Sequence, residues 1–113
     1  MIFLFEDNAA GGDGGGAIFS EGSNSLINIS GISHFRRNQG LYGGAINVHH
    51  LSTLVVSGGA IFEENIASGN GGAIRGCCQS IISISNALIR NNTAVHGGGG
   101  VFIEEHTKAT ISE

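Results

Sequence analysis

The sequence has no proline, only five lysines and arginines together, and no cysteine outside one adjacent pair. Each shortage removes a class of protein. Five cationic side chains against nine Asp and Glu, for a formal net charge of −4, leave no basic stripe to hold nucleic acid or an anionic membrane. No apolar run approaches the length of a membrane-spanning helix. The segment Met1 to Phe5 is too short for a secretory signal, lacks a basic start and is interrupted at once by Glu6 and Asp7. If the parent protein is exported, its targeting segment is expected outside this chain. Cys77 and Cys78 are neighbours, and joining them closes only a very small ring that staples no loop. They are therefore expected to be free thiols or partners for another chain. A sustained 3.6-residue apolar pattern is also missing, which argues against helical solenoids.

Glycine is what the chain has in excess, 20 of 113 residues, where about 7% is usual. A flexible glycine linker would be polar, but 41% of these residues are hydrophobic and only 12% charged. Glycines mixed with many β-branched residues indicate strands separated by sharp turns.

Two motifs recur with one period. The first reads Phe5-Glu6-Asp7-Asn8, Phe35-Arg36-Arg37-Asn38, Phe62-Glu63-Glu64-Asn65 and Ile89-Arg90-Asn91-Asn92, with starts 30, 27 and 27 residues apart. The second reads Gly15-Gly16-Ala17-Ile18, Gly43-Gly44-Ala45-Ile46 and Gly71-Gly72-Ala73-Ile74, each 28 residues after the last. A degenerate fourth copy falls at Gly99-Gly100-Val101-Phe102, or alternatively places Gly100-Val101 at the Ala-Ile positions. Gly58-Gly59-Ala60-Ile61 is off-register and occupies the strand before Phe62, where Ile32 and Leu88 stand in other coils. Between the motifs, Ile27 and Ile29, Leu54 and Val56, and Ile82 and Ile84 alternate as in half-buried strands, and Ile111 begins the same segment again.

The period predicts an all-β fold, a right-handed single-stranded parallel β-helix (solenoid). It should have about four coils of roughly 27–28 residues, each with three short strands and three turns. Residues 1–113 are read as one such repeat fragment of a larger protein. The structural residues expected are an inward row of Phe5, Phe35, Phe62 and Ile89 and an amide ladder of Asn8, Asn38, Asn65 and Asn92. These asparagines also suit the left-handed backbone region. The glycine pairs Gly15–Gly16, Gly43–Gly44 and Gly71–Gly72 should make the turns. The residues inside the first motif alternate acidic, basic, acidic, basic, so Arg36 or Arg37 should lie near Glu63 or Glu64 and near Glu6 or Asp7.

The tandem Gly-Gly-Ala-Ile and Phe-x-x-Asn motifs, from Phe5 to Val101, resemble the repeats of the chlamydial polymorphic membrane proteins. That resemblance implies a β-helical autotransporter passenger, an adhesin at the cell surface (outer membrane) or secreted. It also implies further β-helix coils in the parent chain as partners, and a host-cell or cell-surface receptor or glycan as the ligand. The fourth copy departs from the pattern, with Ile89 for Phe. The family's export signal and C-terminal barrel are not in this sequence.

No catalytic residues and no cofactor are expected. Glu6, Asp7, Glu63 and Glu64 invite comparison with a carbohydrate-active, pectate-lyase-like β-helix enzyme, the alternative reading. Their recurrence at equivalent turns favours a solvated charge ladder instead. A second column stacks Glu21, His49 and Cys77, followed by Glu104, Glu105 or His106, with His50 and Cys78 alongside. All are competent zinc-type ligands, but no three are aimed at one point by the sequence alone, so no metal is expected there. Asp13 reads as a turn residue. Gly11-Gly12-Asp13-Gly14 occurs once and lacks the aspartate of a calcium-binding nonapeptide, and Gly97 to Gly100 lacks the Lys-Ser or Lys-Thr of a phosphate loop. Sequons at Asn28-Ile29-Ser30 and Asn91-Asn92-Thr93 matter only on a eukaryotic secretory route. Both terminal coils are expected to expose strand edges over an apolar core and to stack end to end.

Overall fold

In the computed structural model, residues 2–12 and 14–112 are described. Met1, Glu113 and the turn expected at Asp13 lie outside them. The first coil carries β1 (Phe3–Glu6), β2 (Ile18–Glu21) and β3 (Leu26–Ile29). The second carries β4 (Ser33–Arg36), β5 (Gln39–Gly40), β6 (Ile46–His49) and β7 (Thr53–Val56). The third carries β8 (Ile61–Glu63), β9 (Ile66–Ala67), β10 (Ile74–Gly76) and β11 (Ile81–Ser85). The fourth carries β12 (Leu88–Arg90), β13 (Thr93–Ala94), β14 (Val101–Ile103) and β15 (Lys108–Ser112).

Every strand pairs in parallel with its equivalent one coil away, which makes four sheets: β1-β4-β8-β12, β2-β6-β10-β14, β3-β7-β11-β15 and β5-β9-β13. The chain is an all-strand parallel β-solenoid of four coils, as its period predicts. The second, third and fourth coils hold four strands rather than three. The extra members, β5, β9 and β13, are two residues long, and a strand that short leaves no alternation to read.

The pairing selects one of the two placements open for the fourth glycine copy and shifts one other register. Val101 pairs with Ile74, so the degenerate fourth copy is Gly98-Gly99-Gly100-Val101, 27 residues on, and Gly100 stands at the alanine position. Ile61 pairs with His34 and Leu88, which displaces Ile32 from that row. The backbone pairing decides both, because one extra glycine in a run is invisible to a motif count.

The core is a stack of like on like. Phe5, Phe35 and Phe62 lie in one row, with ring centroids 4.6 Å apart at both steps and planes within 2° and 7° of parallel. Ile89 continues the row through the pairing with Phe62. Ile46 and Ile74, Leu54 and Ile82, and Val56 and Ile84 are buried neighbours in adjacent coils. Each such fully buried side chain contributes roughly 1.5–3 kcal/mol. The close approach at the glycine corner is what permits the stack. A Cβ on Gly16, Gly44 or Gly72 would collide with the carbonyl oxygen of Gly44, Gly72 or Gly99 respectively.

Candidate functional site

Two corners of the solenoid gather polar chemistry. At the first, following β1, β4, β8 and β12, the third residue of each motif copy turns left-handed: Asp7 at φ 59°, Arg37 at 55°, Glu64 at 58° and Asn91 at 55°. The asparagines that follow do not, although their residue type tolerates this region. The turn before each one rotates its side chain inward, where the amide is worth more as a cross-coil link. Asn38 Nδ2 and its backbone N–H both donate to Asn65 Oδ1 at 3.0 Å, and the second Nδ2 proton reaches the Phe5 carbonyl at 2.9 Å. Asn65 does the same toward Asn92 and Phe35, at 2.9 Å throughout. Asn8 donates to Asn38 Oδ1 at 3.0 and 3.1 Å. Asn38 and Asn65 are fully buried with both protons and both lone pairs used.

Outside this ladder runs the charge column Glu6, Arg36, Glu63, Arg90. Its ion pairs join first to second coil and third to fourth: Arg36–Glu6 at 2.7 Å and Arg90–Glu63 at 2.9 Å. Arg37 grips Asp7 at 2.8 Å and Glu6 at 3.3 Å. Among the described residues no ion pair joins Arg36 or Arg37 to Glu63 or Glu64, although Arg36 and Glu63 are register neighbours. One guanidinium fork serves one carboxylate well, and both Nε and Nη2 of Arg36 are directed at Glu6. The hydrogen bond from Arg37 holds the Asp7 carboxyl below the ordinary carboxylate range, aided by the charges of Arg37 and Arg36. A shallow groove of about 510 Å³ follows the corner, with Asp7, Arg37, Glu64 and Asn91 on one side and Gln39, Ile66 and Thr93 on the other.

Two outcomes follow. Glu63→Arg together with Glu64→Arg would set like charges in successive coils, so the melting temperature should fall, and fall further at low than at high salt. Equal losses at both salts would count against the column. Because the folded pKa of Asp7 lies below its unfolded value, its contribution is present above the unfolded pKa and disappears as pH drops through the folded one. Melts of the parent and Asp7→Asn should therefore differ modestly at neutral pH and converge in acid.

The second corner follows β2, β6, β10 and β14. Glu21 pairs with His49 in register, and His49 Nδ1 lies 3.1 Å from Glu21 Oε2. Parallel pairing places Cys77 next, since its N–H reaches the Val48 carbonyl, and then Glu104, whose N–H reaches Gly76. Glu104 is committed to Arg75, at 2.7 Å. Arg75 is 8% exposed, lies 4.4 Å over the Tyr42 ring and donates to Asn47 Oδ1 at 3.4 Å. The sequence column missed this network, because in the row Phe19, Asn47, Arg75 and Phe102 no residue type carries over from one coil to the next.

His106 falls beyond the column, beside Gln79 rather than Cys77, because Gln79 donates to the Glu105 carbonyl as Leu51 does to that of Cys78. Cys77 and Cys78 are joined as a disulfide, so the free thiols expected from their adjacency are not found. The left-handed turn at Cys78, φ 66°, brings its sulfur to the side of Cys77. Glu105 Oε2 stands 3.7 Å from Cys77 Sγ and 3.4 Å from Cys78 Sγ.

Comparison with known proteins agrees with this geometry. The Chlamydia polymorphic membrane protein repeat matches residues 3–21 and 59–76. Each segment runs from one Phe-x-x-Asn corner to the following Gly-Gly-Ala-Ile strand, so it covers the row, the ladder and the close glycine approach. Over those two segments the coils are similar to polymorphic membrane protein repeats. Over 122 aligned residues the chain is also 32% identical to the probable autotransporter YfaL of Escherichia coli (strain K12). That alignment takes in 97% of this chain but 10% of the relative, so the chain spans a small part of that protein's length. No solved structure matches the chain. The polymorphic membrane protein segments stop at Gly76, which leaves His49, Cys77, Cys78 and Glu105 outside the matched pattern.

Proposed function

We propose that this chain is a structural and adhesive segment of a surface-exposed or secreted β-helix passenger, with no catalytic activity of its own. Its coils extend a solenoid continued by other coils of the parent chain, and its corner turns are displayed toward a cell-surface receptor or glycan. The repeat type and the autotransporter relative support a location at the outer membrane surface or beyond it.

One observation carries the non-catalytic reading. The carboxylates best placed to act in a polysaccharide-cleaving β-helix, Glu6, Asp7 and Glu63, are each held by an arginine of the adjacent coil. A general acid needs a carboxyl whose pKa is raised toward neutrality, whereas that of Asp7 is pushed the other way. The test pairs two measurements on the 113-residue chain. Saturable binding of labelled chain to host-cell surfaces or immobilised glycans, without cleavage of polyuronates, is the expected result. Release of unsaturated uronates that is lost in Glu63→Gln would replace it with the enzyme reading.

A further inference from the structure

We propose that His49, Cys77, Cys78 and Glu105 form a redox-gated site for a thiophilic d¹⁰ cation of the zinc type. The site is closed while the two sulfurs are bonded and opens when they are reduced. One ring nitrogen of His49 and both sulfurs lie within 4.8 Å of one another. The Glu105 oxygen stands at 3.4 and 3.7 Å from the sulfurs. Around tetrahedral zinc, bonds of about 2.3 Å to sulfur and about 2.0–2.2 Å to nitrogen or oxygen set the donors roughly 3.5–3.8 Å apart. The carboxylate therefore already stands at ligand spacing from both sulfurs. To surround an ion the two sulfurs must part and the His49 ring nitrogen, within 4.8 Å of them, must draw in.

Two further features point to a cation. Glu21 Oε2 lies 3.1 Å from Nδ1 of His49. An Nδ1–H donated to that carboxylate leaves the Nε2 lone pair available to a metal, the pairing an outer carboxylate makes with ligating histidines. A disulfide has no proton to offer, so Glu105 gains no hydrogen bond from the sulfurs, and among the described residues no arginine or lysine pairs with it. Two thiolates and a carboxylate at this corner would concentrate negative charge that a divalent, sulfur-seeking ion neutralises. Cys77, 1% exposed, anchors the site, while Cys78 and His49 are half-buried and give access.

The chemistry balances with a dithiol reductant. Its two thiols supply two electrons and two protons, it becomes a disulfide, and the Cys77–Cys78 bond becomes two thiols. The ion then displaces both thiol protons and binds the thiolates.

The test is an anaerobic titration with cadmium(II), as a spectroscopic stand-in for zinc. The chain is used oxidised and after dithiothreitol reduction and desalting. The reduced chain should bind one ion with thiolate-to-cadmium charge-transfer absorption and release two protons, and the oxidised chain should bind none. Cys78→Ser should abolish the absorption, His49→Gln should weaken binding at least tenfold, and His106→Gln should leave it unchanged. Should Cys78→Ser fail to fold, alkylating the reduced parent must have the same effect. The absence of saturable binding in the reduced chain, equal binding in the oxidised chain, or parent-like affinity in His49→Gln would each overturn the site.

Discussion

Asn65→Ala is expected to destabilise the solenoid by roughly 3 kcal/mol or more, taking about 1–3 kcal/mol for each buried group left without a partner. The truncation removes the acceptor for Asn38 N–H and Nδ2 and the donor to the Phe35 carbonyl. Water cannot replace them, because Asn38 and Asn65 are both fully buried. Against a typical total of about 5–15 kcal/mol, this is a large share. Asn65→Asp separates geometry from chemistry. It keeps the acceptor but loses both Nδ2 donations, and it places a charge against the Phe35 carbonyl and Asn92 Oδ1. Its melt should be lowest at neutral pH and recover in acid, where the carboxyl regains a proton to donate. Denaturant or thermal melts of the three proteins across pH decide this. A parent-like Asn65→Ala would reduce the ladder to ornament.

Gly44→Ala is expected to break the stacking of the coils with a single methyl group. Its Cβ would collide with the Gly72 carbonyl and sit 2.7 Å from Ile66 N and 2.8 Å from Ile66 O. All of these are backbone atoms of the next coil, and they cannot swing aside. Relief requires the second and third coils to separate, which strains the pairing of Ala45 with Ala73 and the stacking of Phe35 on Phe62. Overpacking typically costs about 1–3 kcal/mol where side chains yield, and a backbone obstacle raises that. Gly11→Ala is the control, since a Cβ there meets nothing within 4 Å and its φ is not positive. Loss of the cooperative melt in Gly44→Ala with an unchanged Gly11→Ala is the expected pair of results. Equal stability in both would mean that the coils are not held at this spacing.

Much of the fold was legible because a solenoid writes its geometry into its period. Each coil must present the same residue type at the same height, so Phe5, Phe35 and Phe62 recur, as do Asn8, Asn38, Asn65 and Asn92. Legibility fails where the repeat does. The fourth glycine copy has two placements in the sequence because Gly97 to Gly100 offers several equivalent readings, and the pairing of Val101 with Ile74 selects the one with Gly100-Val101 at the Ala-Ile positions. The two-residue strands β5, β9 and β13 were missed because nothing alternates within two residues. The polymorphic membrane protein motifs likewise say nothing of the cysteine corner, which lies beyond both matched segments.

The sequence by itself determined the class of fold, its four coils, the aromatic row and the amide ladder, since all of these are repeated and local. Only the tertiary structure decided which residue of each corner turns left-handed, and which carboxylate each arginine takes. It also decided that Cys77 and Cys78 are joined beside His49 and Glu105. These depend on how one coil settles on the next. Cross-coil partners lie about 27–30 residues apart in the chain, as the Asn38–Asn65 and Arg36–Glu6 pairs do. Spacing along the sequence can name the neighbours but not the direction in which a side chain leaves the turn, and that direction is set by backbone dihedrals fixed only when the coils pack.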